Sequence, residues 1–173
     1  MNQNGPSRAL AMTIGSCDEP DLEVVTHYNP KELDLAKQAT WKDINEINQR
    51  TARRENDVLD LEYTGTPGRT LALELVFDCY EDKEVESIEP VITRLMKMAS
   101  PRDESSTEPD MRRPHLCVVA WGDRDIGNFR CVIESIAVKY TMFSRAGRAV
   151  RATVQLKLKE AKLRRDTPRR PGR

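Results

Sequence analysis

From Val150 onward, Val150, Ala152, Val154, Leu156 and Leu158 alternate strictly with Arg151, Thr153, Gln155, Lys157 and Lys159. A period of two cannot gather its apolar set on one face of a helix, which repeats every 3.6 residues; an extended strand gathers it at once. The segment is therefore a long strand with a core face and a wet face. Just upstream, Ile136, Val138, Tyr140 and Met142 alternate in the same way with Ser135, Ala137, Lys139 and Thr141. Ser144-Arg145-Ala146-Gly147-Arg148 joins the two runs, and Gly147 suits a positive φ, so the pair predicts a β-hairpin. Farther upstream the phase reverses: Phe129, Cys131 and Ile133 hold odd positions, whereas from Ile136 the apolar set holds even ones. A slip of one residue turns every side chain over, so a bulge or bend is expected near Glu134-Ser135, of the kind that curls a sheet into a barrel.

The remaining elements follow from the same patterns. Leu71, Leu73, Leu75 and Phe77 against Thr70, Ala72, Glu74 and Asp78 give a third long strand. His115 to Trp121 is continuously apolar and reads as a strand covered on both faces. Leu10 to Ile14 and Leu22 to His27 are shorter strands, and Leu33 to Lys42 is a weaker one. A single helix is expected at about residues 88–99, where Ile88, Val91, Ile92, Leu95, Met96 and Ala99 recur at three- and four-residue spacing. Pro90 is tolerated in its first turn, and Glu84, Glu86 and Glu89 precede Arg94 and Lys97 in the sense the helix dipole favours. Pro101 to Pro114 reads as a flexible polar loop. Asp43 to Asp57, with Glu46, Arg50, Arg53, Arg54 and Glu55, is a long polar loop of the sort that is functional or disordered inside a compact domain. The fold class is mainly β, a barrel or sandwich with one helix. Residues 1–160 make up that domain, and 161–173 form a basic tail expected to be disordered; Lys157 to Arg173 alone holds eight basic and two acidic residues.

Composition narrows the function. With 38% hydrophobic and 32% charged residues the chain carries enough apolar surface for a core, which argues against wholesale disorder. The 28 basic residues balance 28 acidic ones, so the global positive field of a dedicated nucleic-acid binder is missing, and nucleic acid is not an expected partner. The basic tail would touch phosphate, an acidic protein surface or nothing. No apolar run is long enough to span a membrane, and Met1 to Arg8 lacks the start of a secretion signal, so a cytoplasmic product with no membrane contact is expected. Cys17, Cys79, Cys117 and Cys131 are far apart without a CxxC pair, and read as free thiols, mostly buried. His27 and His115 each adjoin a strand near a proline and read as structural. Asp78, Glu81 and Asp82 form the densest acidic group and read as a solvated loop. Nucleophile-elbow, zinc-protease, P-loop and dinucleotide motifs are missing, so no catalytic, cofactor-binding or metal-ligating residue is assigned and no enzyme is expected. A hydrolase would have to rely on a carboxylate such as Glu74 or Glu134.

Laid out in order, the pieces resemble the tube-type proteins of contractile injection systems, the phage-tail-like particles that drive an inner tube into a target. They are Tyr28-Asn29-Pro30-Lys31-Glu32-Leu33, Trp41-Lys42, Tyr63-Thr64-Gly65, and Gly68-Arg69-Thr70 leading through Leu71 to Asp78. Arg113-Pro114, Val119-Ala120-Trp121-Gly122, Phe129 to Ser135, Tyr140-Thr141-Met142-Phe143, Val150 to Val154 and Leu158-Lys159-Glu160 complete the series. The resemblance covers about residues 10–160. It implies a homo-hexamer whose joined sheets surround a lumen, with spike hub or baseplate proteins on one side and the inner-tube protein on the other. The most similar type is the tube initiator, or baseplate adaptor, with the bulk inner-tube protein as the alternative and a binding domain or effector cargo behind it. Such adaptors often carry a LysM-like module after this domain; residues 161–173 do not resemble one. On this resemblance the wet face of Arg151, Thr153, Gln155 and Lys157 would line the lumen. Arg50, Arg53 and Arg54 would reach a neighbouring subunit or ring. The product would be made in the cytoplasm and built into a particle, released or membrane-anchored.

Overall fold

The alternating segment forms the longest uninterrupted ladder of the protein. A computed structural model describes residues 11–43, 61–82, 85–122 and 129–162. In chain order these give β1 (Thr13–Ser16), β2 (Glu23–Val25), β3 (Leu33–Ala36), β4 (Thr40–Asp43), β5 (Leu61–Gly65), β6 (Thr70–Asp78), α1 (Glu89–Ala99), β7 (Cys117–Ala120), β8 (Phe129–Phe143) and β9 (Ala149–Glu160). Seven strands form one sheet in the order β2-β1-β7-β8-β9-β6-β3, and β4 and β5 form a separate two-stranded ribbon. β9 pairs antiparallel with β6 from Thr70↔Lys159 to Asp78↔Arg151 and with β8 on its other side. Val150, Ala152, Val154, Leu156 and Leu158 are all buried; side chains of that size contribute about 1.5–3 kcal/mol each when removed from water. The hairpin closes as expected: Ser144 accepts the Gly147 amide at 2.9 Å and donates its own amide to Arg148 O at 2.8 Å, with Gly147 at φ 77.

The phase reversal has its physical cause in a register shift between Ile133 and Ser135. One extra residue on β8 opposes β9 there, so Ile133 and Ile136 both turn toward the core. The sheet curls but does not close. β2 and β3 are its two edges, and no ladder joins them among the described residues, which corrects the barrel expectation. Only residues 26–32 connect those edges. His27 already packs edge-on against Phe77 of β6 at 5.4 Å, with Nδ1 against the Asp78 backbone. The two edges are therefore brought round toward one another, and Leu75, Phe77, Val119, Cys131 and Val154 fill the space inside.

Helix α1 seals this core. Ile88, Ile92, Leu95 and Met98 are buried, whereas Met96 is largely exposed; the sequence pattern had placed Met96 on the inner face, and Met98 occupies it instead. Ser87 holds the entry, accepting the Glu89 amide at 3.2 Å and donating to Ala149 O at 3.1 Å. Two further readings change. Leu33 to Lys42 is split into β3 and β4, and β5, unforeseen, pairs with β4. The Pro101–Pro114 loop is held rather than loose, with a bridge between Pro101 and Pro114 at its ends and amide bonds from Arg102 to Arg113 O (3.1 Å) and from Asp103 to Met111 O (2.8 Å).

What fixes that loop is Asp18, distant in sequence. Its carboxylate accepts Arg113 Nη1 and Nη2 at 2.8 and 2.9 Å and the Leu116 amide at 2.8 Å, with Arg102 at 3.6 Å. Arg113 above all holds the Asp18 carboxyl down to about 2. Next to it, Ser16 Oγ accepts the amides of Asp18 and Glu19 at 3.1 and 3.0 Å. The Ser16 hydroxyl hydrogen is thus left to His115 Nδ1, 2.8 Å away, which makes His115 a neutral acceptor. Burial pushes its pKa below the ordinary value.

At the C-terminal end of β9, Glu160 grips Arg69. It accepts the Arg69 amide (3.0 Å), Nε (3.2 Å) and Nη2 (2.9 Å), and the guanidinium lies over the Phe129 ring at 5.3 Å. Gly68 makes this clamp geometrically feasible, because a Cβ there would lie 2.7 Å from Glu160 O. Gly68→Ala is therefore expected to lower stability by about 1–3 kcal/mol through backbone displacement, read by thermal or denaturant unfolding; an unchanged midpoint contradicts the clamp. The His115 environment sets a second expectation. The unfolded chain takes up a proton as pH falls through about 6.5, while the folded chain resists it, so stability present above that pH is lost as pH falls toward the depressed folded value. The thermal midpoint should drop between pH 7.5 and 5.0, and His115→Gln should flatten that slope; an equal slope in the variant contradicts it.

Candidate assembly surfaces

The polar face of the β6-β9-β8 ladder is built in cross-strand rows. Register places Asp78 opposite Arg151, Val76 opposite Thr153, Glu74 opposite Gln155 and Ala72 opposite Lys157, with Lys139, Ala137 and Ser135 of β8 on the far side. Arg151, Thr153, Gln155 and Lys157 thus share the face turned away from the core, Gln155 and Lys157 being exposed and the other two half-buried. Charges on this face neutralise one another locally. Arg151 Nε and Nη2 donate to Asp78 Oδ2 at 2.8 and 2.6 Å, Lys157 Nζ lies 2.8 Å from Glu134, and Gln155 reaches Glu74 at 3.5 Å. Burial works to raise the Asp78 carboxyl, but the Tyr80 amide and Arg151 outweigh it and hold it below its ordinary value. Lys157 likewise lowers Glu134. Glu74 and Glu134, the two carboxylates a hydrolase would need, are engaged with Gln155 and Lys157 rather than with another acid. The segment Tyr28–Asp34 flanks this face and encloses with it an open groove of about 960 Å³.

The sheet edges form a second surface. In β3, Leu33 packs on the core, but Asp34, Leu35 and Ala36 are exposed, Leu35 at 57%. The β4–β5 ribbon follows, with Trp41 paired to Tyr63 and their rings in edge contact at 5.4 Å. Both are more than half exposed, an arrangement that an isolated two-stranded ribbon does not stabilise unaided. Asp43 pairs with Leu61, so the chain leaves the ribbon and returns to it at one place. Arg50, Arg53 and Arg54 belong to the intervening stretch and lie outside the described residues. The signal for β5 was present in the alternation of Leu61 and Tyr63 with Glu62 and Thr64.

A third surface lies at the start of α1, beside the β8–β9 turn. Tyr140 and Phe143 face each other at 6.3 Å, and with Val85, Pro90 and Val91 they line a second groove of about 960 Å³. Arg148 forms an ion pair with Glu86 at its rim. The sequence pattern assigned Tyr140 to the core face, but it is 37% exposed. Met142 still packs on the core, and Phe143, out of phase with it, is 58% exposed.

The thiols stay apart from these surfaces. Cys79, Cys117 and Cys131 are buried and free, as read from the sequence, and Cys17 is exposed. Burial pushes Cys117 and Cys131, direct cross-strand partners, up to about 12. No described helix is long and apolar enough to cross a membrane, and among the described residues no cluster of three His, Cys, Asp or Glu side chains could hold a metal ion.

Comparison with known proteins was made against this geometry. No curated protein matches the chain. The family model described as contractile injection system tube protein matches residues 11–168, from just before β1 to beyond the end of β9. A one-helix, curled antiparallel sheet with a polar face and two open edges is thus matched over nearly its whole length, and the chain belongs to the contractile injection system tube protein family.

Proposed function

We propose that this chain forms a hexameric ring between the spike hub or baseplate and the inner tube, and that the ring initiates tube growth. The observation that carries the ring is the pair of open edges, β2 and β3, of the seven-stranded sheet. Unpaired strand edges are a standing hazard for self-association, and a closed ring of identical copies satisfies them by pairing each edge with its neighbour. In that ring the row of Arg151, Thr153, Gln155 and Lys157 lines the lumen. Its charges are compensated by Asp78, Glu74 and Glu134, so the wall is hydrated without a strong field of either sign, which suits passage of a tube's contents. The role is mechanical: membership of a tube family supports a structural component of a phage-tail-like particle, and no bond is made or broken by it.

The stretch between Asp43 and Leu61 is assigned to contacts with a neighbouring subunit or the next ring, its Arg50, Arg53 and Arg54 meeting acidic groups there. Combined charge reversal, Arg50→Glu with Arg53→Glu and Arg54→Glu, is expected to weaken ring stacking while leaving the unfolding midpoint of the isolated chain within about 0.5 kcal/mol; intact stacking, seen by electron microscopy, removes that assignment. Initiator and bulk tube differ in number. Quantitative mass spectrometry of purified particles should give one ring's worth of copies per particle. A count that rises with particle length makes the chain the tube itself, and absence from particles points to a binding domain or cargo.

A further inference from the structure

The groove between the polar sheet face and the segment Tyr28–Asp34 has an apolar floor. Ala72, Val76 and Ala137 turn small side chains into it between the charged rows, and Tyr28, 57% exposed, stands at its wall. Charge is not balanced across it. Arg151 is committed to Asp78, and Lys157 to Glu134, with Lys159 nearby. What remains is acidic: Glu32, Asp34 and Glu74 line the groove against the single ammonium of Lys31. Among the described residues none of these three carboxylates has a cationic partner, Glu74 meeting the uncharged Gln155 amide at 3.5 Å. Such a groove fits an extended segment that brings arginine and proline together, because guanidinium groups fork onto carboxylates and proline rings pack on an exposed aromatic ring.

The chain itself carries such a segment. Residues 163–173 hold five arginines, no lysine and one aspartate, with Pro168-Arg169-Arg170-Pro171 among them. The stretch 44–60 sets Arg50, Arg53 and Arg54 against Glu46, Glu55, Asp57 and Asp60, so it brings no cationic excess, and residues 1–10 bring Arg8 alone. Length agrees with charge. The β9 ladder continues to the Ala161 amide, 3.1 Å from Arg130 O, so the chain leaves the sheet at the end of the groove. Asp34 pairs with Ala72 and falls on the row of Lys157, and Glu74 falls on that of Gln155. Those rows lie five and seven residues back from Lys162, about 17 and 23 Å at strand rise, with β3 about 10 Å to the side. Arg169 and Arg170 follow Lys162 by seven and eight residues, which span about 23–29 Å at full extension. A chain that reverses after Lys162 therefore lays both arginines over the unneutralised carboxylates.

We propose that residues 163–173 fold back and dock in this groove of their own chain, with Arg169 and Arg170 on Glu32, Asp34 and Glu74 and the prolines against Tyr28. The contact lies within one copy. It rests on the lumen reading only for its place in a particle, where it lays the tail along the wall. The test puts a nitroxide on the full-length chain through Arg173→Cys with Cys17→Ser, the other thiols being buried, and reads the broadening of amide signals by nuclear magnetic resonance. Amides of residues 32–34 and 72–74 should broaden strongly, and those of α1, across the core, hardly at all. Glu32→Gln with Asp34→Asn and Glu74→Gln, all at exposed positions, should cut that broadening severalfold, as should raising ionic strength from about 0.05 M to about 0.5 M; unchanged amide shifts elsewhere verify that the variant folds. Broadening spread evenly over both faces, or indifferent to the three substitutions, overturns the docking. Mixing the nitroxide chain with an isotope-labelled chain that lacks the nitroxide separates the copies: equal broadening in the mixture assigns the contact to a second copy's tail and overturns it as well. Docking in a chain that is absent from particles would sink the tube reading and leave the contact standing; rings whose tails cause no broadening would do the reverse.

Discussion

The antiparallel ladder that β9 makes with β6 and β8 is the constraint from which the rest of the molecule follows. Eleven of the twelve residues of β9 are paired on one or both sides, and their alternation sorts apolar from polar side chains without further instruction. The inner face nucleates a single core that α1 covers. The outer face is left to bear charge, and Arg151 and Lys157 find carboxylate partners on the neighbouring strands. Because period-two patterning fixes register wherever one face is buried, a single inserted residue at Glu134 suffices to turn β8 over and bend the sheet around its contents.

Legibility in the sequence tracks how local each cause is. The β8–β9 hairpin, the bulge near Glu134, the helix and the strand containing Leu71 to Phe77 were all readable, because their causes lie within a few residues of each other. The Pro101–Pro114 loop was not, since its polar composition reads as mobility until Asp18, near the other end of the chain, collects Arg113 and Arg102. The barrel was overread: alternation predicts curl, but closure depends on whether β2 and β3 meet, which no local pattern encodes. Met96 and Met98 changed places for the same reason, as two neighbours on a helix differ only in which wall they find. Among the proposed surfaces, the polar row on β9 was visible from spacing alone. The aromatic groove was hidden, because the alternation assigned Tyr140 to the core, and its exposure beside Phe143 depends on how α1 packs over the sheet, which no local pattern encodes.

The surfaces left without an internal partner share a logic. Edge strand β3, the Trp41–Tyr63 ribbon and the Tyr140–Phe143 groove each expose apolar or hydrogen-bonding groups that a monomeric protein would ordinarily cover. Membership of a tube family gives that incompleteness a reason, since it implies assembly into a multi-protein particle, and in the proposed ring these surfaces are finished by neighbours. The clamp of Glu160 on Arg69 and the anchoring of Asp18 by Arg113 are then the internal fastenings at two corners of a body that must stay rigid while its edges are engaged.

Amide hydrogen exchange, compared between the isolated chain and assembled particles, tests this account most directly. If ring closure pairs the open edges, the amides of Glu23–Val25 and Leu33–Ala36 should slow by about tenfold or more on assembly, with little change in the middle of β9. Edge amides that exchange as fast in the particle as in the free chain would contradict the account.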